Sequence, residues 1–142
     1  MKFTHRFTIN APLTAVTQFH HDSHALRLLT PPPLWVQFHR VEPLAEGSVA
    51  DFTMWFGPLP VRWTAVHSRV TPQGFVDTQQ RGPFQAWQHQ HHFQDLGDGR
   101  TAVMDTIEAQ PRSLISHFMW LTLPILFAFR AWRTRHTLQS QR

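Results

Sequence analysis

The chain contains no cysteine, which removes disulfides, thiolate metal sites, iron–sulfur clusters and a cysteine nucleophile from consideration. A sequence of this kind suits a reducing compartment, and the cytoplasm is the expected location. A glycine-rich phosphate loop, a nucleophile elbow, an HExxH zinc-protease motif and a dinucleotide fingerprint are missing too. Kinase, serine-hydrolase and dehydrogenase chemistry therefore has no support. No secretory h-region follows Lys2, because strand-like alternation begins there at once. Nor is there an apolar run of the roughly 20 residues needed to span a bilayer. The longest, Leu114 to Phe129, contains Ser116, His117, Thr122 and Pro124. It reads as a buried helix, with weak membrane-surface contact as the secondary reading.

Lysine occurs once, as Lys2, so the formal charge of +4 rests on arginine. Arg6, Arg27, Arg40, Arg62, Arg69, Arg81 and Arg100 are scattered through successive elements, which is unlike the concentrated stripe of a nucleic-acid binder, and no nucleic-acid partner is expected. Only Arg130, Arg133, Arg135 and Arg142 cluster. They read as a solvated helix end favoured by the C-terminal dipole, the rival reading being contact with phosphate or anionic lipid.

What is present fits one domain over residues 1–142, large enough to bury a core without staples. Lys2 to Ile9 alternates with period two, as a half-buried strand does. Asn10-Ala-Pro-Leu-Thr reads as a helix start, followed by a short helix over 12–19. A second short helical piece over 20–29, capped by Asp22 or Ser23, stops before Pro31-Pro32-Pro33. Six strands are expected next, over 34–41, 48–56, 61–70, 75–80, 84–94 and 101–109. Glu46-Gly47, Gly57-Pro58-Leu59-Pro60, Thr71-Pro72-Gln73-Gly74, Gly82-Pro83 and Gly97-Asp98-Gly99 separate them. Short connections between consecutive strands demand an antiparallel meander. Ser113 is a candidate cap for a final helix reaching about residue 138, with a kink or break expected at 120–124 because of Pro124. The fold class is thus α+β: about seven antiparallel strands that curl around a long C-terminal helix, the one element long enough to cover them.

Twelve Phe and six Trp supply both core and cavity walls. Trp55, Phe56, Trp63, Phe118, Trp120 and Phe127 are candidate pocket lining, although an aromatic at such spacing is often ordinary core. On the strand over 84–94, Trp87, His89, His91 and Phe93 share a face, opposite Gln88, Gln90 and His92. Asp77 and Gln79 of the preceding strand and Asp105 of the following one are placed to meet the two histidines. A carboxylate beside an imidazole fixes its tautomer and raises its basicity. The set can bind a polar head group, move protons, or simply satisfy itself across strands as buried polar groups must. His89 and His91 are close enough to chelate zinc, but no metal and no cofactor is expected. His20, His21 and His24 lie near the short helices and are expected at the surface.

The element order, together with the run from Asp77 through Gly82-Pro83-Phe84, Trp87, His89, His91 and Phe93, then Thr101 to Asp105 and Leu126 to Arg130, resembles the polyketide cyclase/dehydrase branch of the START-like SRPBCC superfamily. The resemblance covers nearly the whole chain. It implies a helix-grip fold with a cavity for an apolar small molecule, a lipid, polyketide or isoprenoid-like compound. The mouth is expected between the last helix and the loops at Gly57-Pro58 and Gly82-Pro83. The alternative it implies is a cyclase or dehydratase using cavity His and Asp as acid and base. Relatives often carry tyrosine where this chain has Ala109. The assembly expected is a monomer or homodimer.

Overall fold

The computed structural model describes residues 1–139, so Arg142 lies outside the described residues. Strand β1 (Lys2–Ile9) is followed by helices α1 (Leu13–His21) and α2 (Ala25–Leu28). Six strands come next: β2 (Trp35–Val41), β3 (Val49–Phe56), β4 (Leu59–Thr71), β5 (Gly74–Arg81), β6 (Phe84–Gly97) and β7 (Arg100–Pro111). Helix α3 (Leu114–Gln139) ends the description. The strands form one antiparallel sheet in the order β1-β7-β6-β5-β4-β3-β2. This is the expected meander, with β1 returning to pair along β7.

Alternation decides which side chains face inward. On β4, Val61, Trp63, Ala65 and His67 are buried while Arg62 and Arg69 are exposed. On β6, Trp87, His89 and Phe93 are buried while Gln88, Gln90 and His92 point out. Register shifts interrupt the β2–β3, β4–β5 and β6–β7 ladders. Each adds local twist and bend, the means by which a sheet acquires a concave face. Several turns are shorter than expected: Gly57, at φ +61, and Pro58 complete one reversal alone, so Leu59 and Pro60 belong to β4, and Thr71, Gly74 and Gly97 likewise fall within strands. Gly74 opens β5 at φ +146, and a Cβ built there would overlap the His91 carbonyl. Only glycine lets β5 and β6 approach so closely at that point.

Ser113 caps α3 as anticipated. Its Oγ accepts the Ser116 N–H at 3.2 Å, while Ser116 Oγ accepts the Ser113 N–H at 2.9 Å, a reciprocal box. Neither Asp22 nor Ser23 caps α2 with its side chain; Asp22 takes the His24 N–H instead. The expected break near Pro124 does not occur, since α3 runs unbroken from Leu114 to Gln139. Pro124 lies on the exposed face, where losing one backbone bond leaves a carbonyl for water to satisfy.

The expectation of a buried last helix holds for one face only. Ser116, Leu123, Phe127, Ala131, Thr134 and Leu138 are buried, but Leu114 is 91%, Leu121 76% and Ile125 72% exposed. Helix α3 approaches β1 and β7 most closely. The core accordingly forms two clusters. One gathers Phe52, Trp63, Phe84 and Trp87 about Leu123 and Phe127, and the other gathers Phe7, Ile9, Phe93 and Val103 about Ala131 and Leu138.

Candidate functional site

A cavity of about 390 Å³ remains inside the concave face. Its sheet wall consists of Ala50, Phe52, Met54 and Phe56 from β3, Trp63, Ala65 and His67 from β4, Phe75 and Asp77 from β5, and Trp87, His89 and His91 from β6. The opposite wall is Phe118, Met119, Leu123, Leu126, Phe127 and Arg130 of α3, and α1, α2 and the chain before β2 contribute His20, Leu26, Leu29 and Leu34. Asp22, Phe118 and Ile125 are lining residues that stay exposed, so the opening lies between α3 and the α1–α2 segment. The turn at Gly82-Pro83 takes no part in the lining, and the turn at Gly57-Pro58 contributes only its neighbour Phe56.

The polar part of the sheet wall is built by register. Asp77 stands opposite His89 on β5 and β6, and His91 opposite Asp105 on β6 and β7. The short contacts run diagonally. His91 Nε2 donates to Asp77 Oδ2 at 2.7 Å, and His89 Nε2 donates to Asp105 Oδ1 at 2.8 Å. The other ring nitrogens face the other carboxylates, His89 Nδ1 lying 3.6 Å from Asp77 and His91 Nδ1 lying 3.6 Å from Asp105. The two imidazoles stack at 3.7 Å. A pair of stacked rings is thus bracketed by two carboxylates, all four groups largely or wholly buried.

Burial alone would push the Asp77 carboxyl up. The nearby His89 and the hydrogen bond from His91 outweigh it and hold the group at about 2. Asp105 is lowered by the same contest, its burial overcome by the hydrogen bond and charge of His89. His91 is pushed down by burial and by the neighbouring His89. The arrangement therefore keeps both carboxylates ionised at neutral pH and positions the rings as donors toward them.

The ligand-capable atoms of Asp77, His89 and His91 lie within 4.8 Å of one another. Proximity is the whole of the case for an ion. The rings are inclined by only 26°, so their in-plane lone pairs run side by side rather than converge, and Asp77 already accepts the His91 proton. One ring would have to turn before a metal could be held.

Of the residues expected at the site, Asp77, His89, His91, Trp63, Trp87 and Phe118 do line the cavity, and Asp105 stands behind His89. Three do not. Gln79 is used locally: its amide donates to the Phe84 carbonyl at 2.8 Å and accepts the Phe84 N–H, tying the β5–β6 turn. Trp55 is on the outer face, stacked on Trp35 at 5.6 Å and bonded to Gln37. Trp120 packs against the first core cluster without lining the cavity.

Among the lining residues that the sequence reading did not place there, three are basic. His67 is buried and shares a hydrogen bond with Ser48 Oγ at 3.0 Å; the alternation on β4 carried that signal. His20, expected at the surface, faces the cavity with its ring 4.7 Å from Phe93. Its Nδ1 donates to the Val16 carbonyl at 2.9 Å, and burial lowers it to about 4. Arg130, expected on a solvated helix end, instead lines the cavity and lies over the Phe127 ring at 5.1 Å. Arg135 of the same group is likewise turned inward, donating to the Thr8 carbonyl.

No family model matches this chain, and no curated protein sequence matches it significantly. Solved structures do. A START superfamily protein from Mycobacterium smegmatis superposes with TM-score 0.74 at 10% identity, covering 99% of both chains. Norcoclaurine synthase from Thalictrum flavum, solved with dopamine and hydroxybenzaldehyde, gives 0.74 at 12%, covering 100% of this chain and 88% of that one. The Zhui aromatase/cyclase from Streptomyces sp. R1128 gives 0.68 at 15%, covering 99% and 92%. At such identities the likeness speaks for architecture, and with the element order and sheet topology it is decisive there: the chain has the helix-grip fold of START-like SRPBCC proteins.

Proposed function

We propose that this protein binds an apolar small molecule inside the cavity between α3 and the concave sheet. The observation that carries the reading is the cavity itself, about 390 Å³ and walled mainly by Phe52, Met54, Trp63, Trp87, Leu123 and Phe127. A concave, mostly apolar site with a few converging polar groups is the usual makeup of small-molecule pockets, and this volume lies in their range. Burial of ligand surface supplies the driving force, at about 25 cal/mol per Å² before the costs of association. His89 and His91 then present a hydrogen-bonding patch to the part of the guest that lies along the sheet wall. His89→Ala is expected to alter selectivity among guests more than affinity.

The test is titration of the delipidated protein with the neutral fluorescent probe N-phenyl-1-naphthylamine. Saturable binding at one site is expected, and Ala65→Phe, which fills the cavity, is expected to abolish it while circular dichroism stays unchanged. Binding that survives Ala65→Phe, or no binding by the parent, overturns the reading.

A second reading has its own support in the bracketed imidazole pair, whose rings face the cavity. Such a pair suits a cyclase or dehydratase: a base removes the proton beside a carbonyl, and an acid returns a proton to the departing hydroxyl as water. Consumption of a β-hydroxyketone or polyketone, abolished in both His89→Ala and His91→Ala while folding persists, is the outcome that favours it over simple carriage.

A further inference from the structure

The cavity wall holds one charged side chain that makes no ion pair and no hydrogen bond among the described residues. Arg130 projects from the middle of α3 into the cavity. Its Nε is shut off from solvent and has no partner, and its side chain forms no ion pair or hydrogen bond among the described residues. The carboxylates near enough to be felt are already engaged, Asp77 by His91 and Asp105 by His89. It lies over the Phe127 face, at 5.1 Å, which steadies the guanidinium but engages none of its N–H donors. Arg133 Nε is also orphaned, but Arg133 does not line the cavity. Confinement of a guanidinium in an apolar chamber without an acceptor is costly. Bound anions relieve that cost, and the planar fork of arginine matches a two-oxygen anion in particular.

We infer that Arg130 is the anchor for a carboxylate carried by the guest, so that the ligand class is an apolar acid: a hydrocarbon or aromatic body in the cavity with one carboxylate against the guanidinium. The inference rests on the cavity-binding reading and narrows it. The polar sheet wall does not compete for the same group, because its two ionised aspartates repel an anion. The carboxylate is therefore held at the helix wall and the apolar body fills the space beside Trp63 and Trp87.

Displacement of N-phenyl-1-naphthylamine from the delipidated protein by dodecanoate, dodecanol and methyl dodecanoate tests this. The parent should take dodecanoate at least tenfold more tightly than dodecanol or the ester. Arg130→Met and Arg130→Gln should lose that advantage. Without ligand, Arg130→Met should melt at or above the parent temperature, since it removes an unpaired, partly buried cation. Equal affinity for acid and alcohol in the parent overturns the inference while leaving the cavity reading standing, as does an advantage that persists in both variants. A clear drop in the melting temperature of Arg130→Met overturns it as well, by making Arg130 a structural counter-ion of Asp77 and Asp105. If the neutral probe itself does not bind, both readings fall together.

Discussion

The two walls of the cavity treat charge in opposite ways. On the sheet side, Asp77, His89, His91 and Asp105 meet one another across contacts of 2.7 and 2.8 Å. On the helix side, Arg130 makes no hydrogen bond or ion pair among the described residues, and its Nε is shut off from solvent. The contrast follows from how each element places its side chains. A sheet sets neighbours at fixed lateral spacing, so opposite and diagonal residues are partners by construction. A helix facing a hollow has no such lattice, and a long side chain on it reaches into space that something else must fill. On the proposed reading, the sheet wall is organised before any guest arrives and the helix wall is completed by one.

The sharpest way to break this comparison is to remove one group from each wall. Asp105→Ala strands the His89 Nε2–H in the interior and should cost about 3 to 5 kcal/mol in urea denaturation, whereas Arg130→Met should cost nothing. Comparable losses for the two would erase the distinction. Next in size is acid sensitivity. His20 is held at about 4, against an ordinary 6.5, so it is neutral in the fold and gains a proton on unfolding between those values. The unfolded chain binds more protons in that window, and stability rises with pH there. Acidification from 6.5 to 4 should remove up to about 3 kcal/mol, a slope that His20→Gln flattens. Asp77 acts further down. Its contribution is complete above its unfolded value near 3.9 and is lost as pH falls toward about 2. The smallest effect belongs to a surface aromatic. Trp55→Ala should cost about 1 kcal/mol through its stack on Trp35 and leave probe binding untouched, while Trp63→Ala should change both stability and binding.

Much of the sheet was legible before any coordinates. Period-two alternation put Trp87, His89, His91 and Phe93 on one face, and the meander made Asp77 and Asp105 their neighbours. The same rule, applied strictly, separates Trp55 from Phe56, since Ala50, Phe52, Met54 and Phe56 point inward and Trp55 must point out. Gln79 shares its phase with Asp77, but it sits where the β4–β5 register shifts and the next turn begins, and the turn claims its amide. Helical residues were harder to place. Trp120, His20 and Arg130 acquire their surroundings from how α1 and α3 lie across the sheet, and nothing in a local pattern records that placement. The basic cluster at the chain end concealed the difference between Arg130, which faces the cavity, and Arg135, which reaches the Thr8 carbonyl.

The bare backbone at Gly74 has a consequence for everything that happens several residues away. With no side chain between them, β5 and β6 close to a separation that an alanine methyl would prevent by colliding with the His91 carbonyl. Asp77 and His91 hang from those same two backbones, so the clearance at residue 74 sets how short their contact can be. Gly74 thus acts as a shim of zero thickness, and any larger residue in its place would loosen the acid–imidazole bracket by pushing on the His91 backbone rather than on its ring.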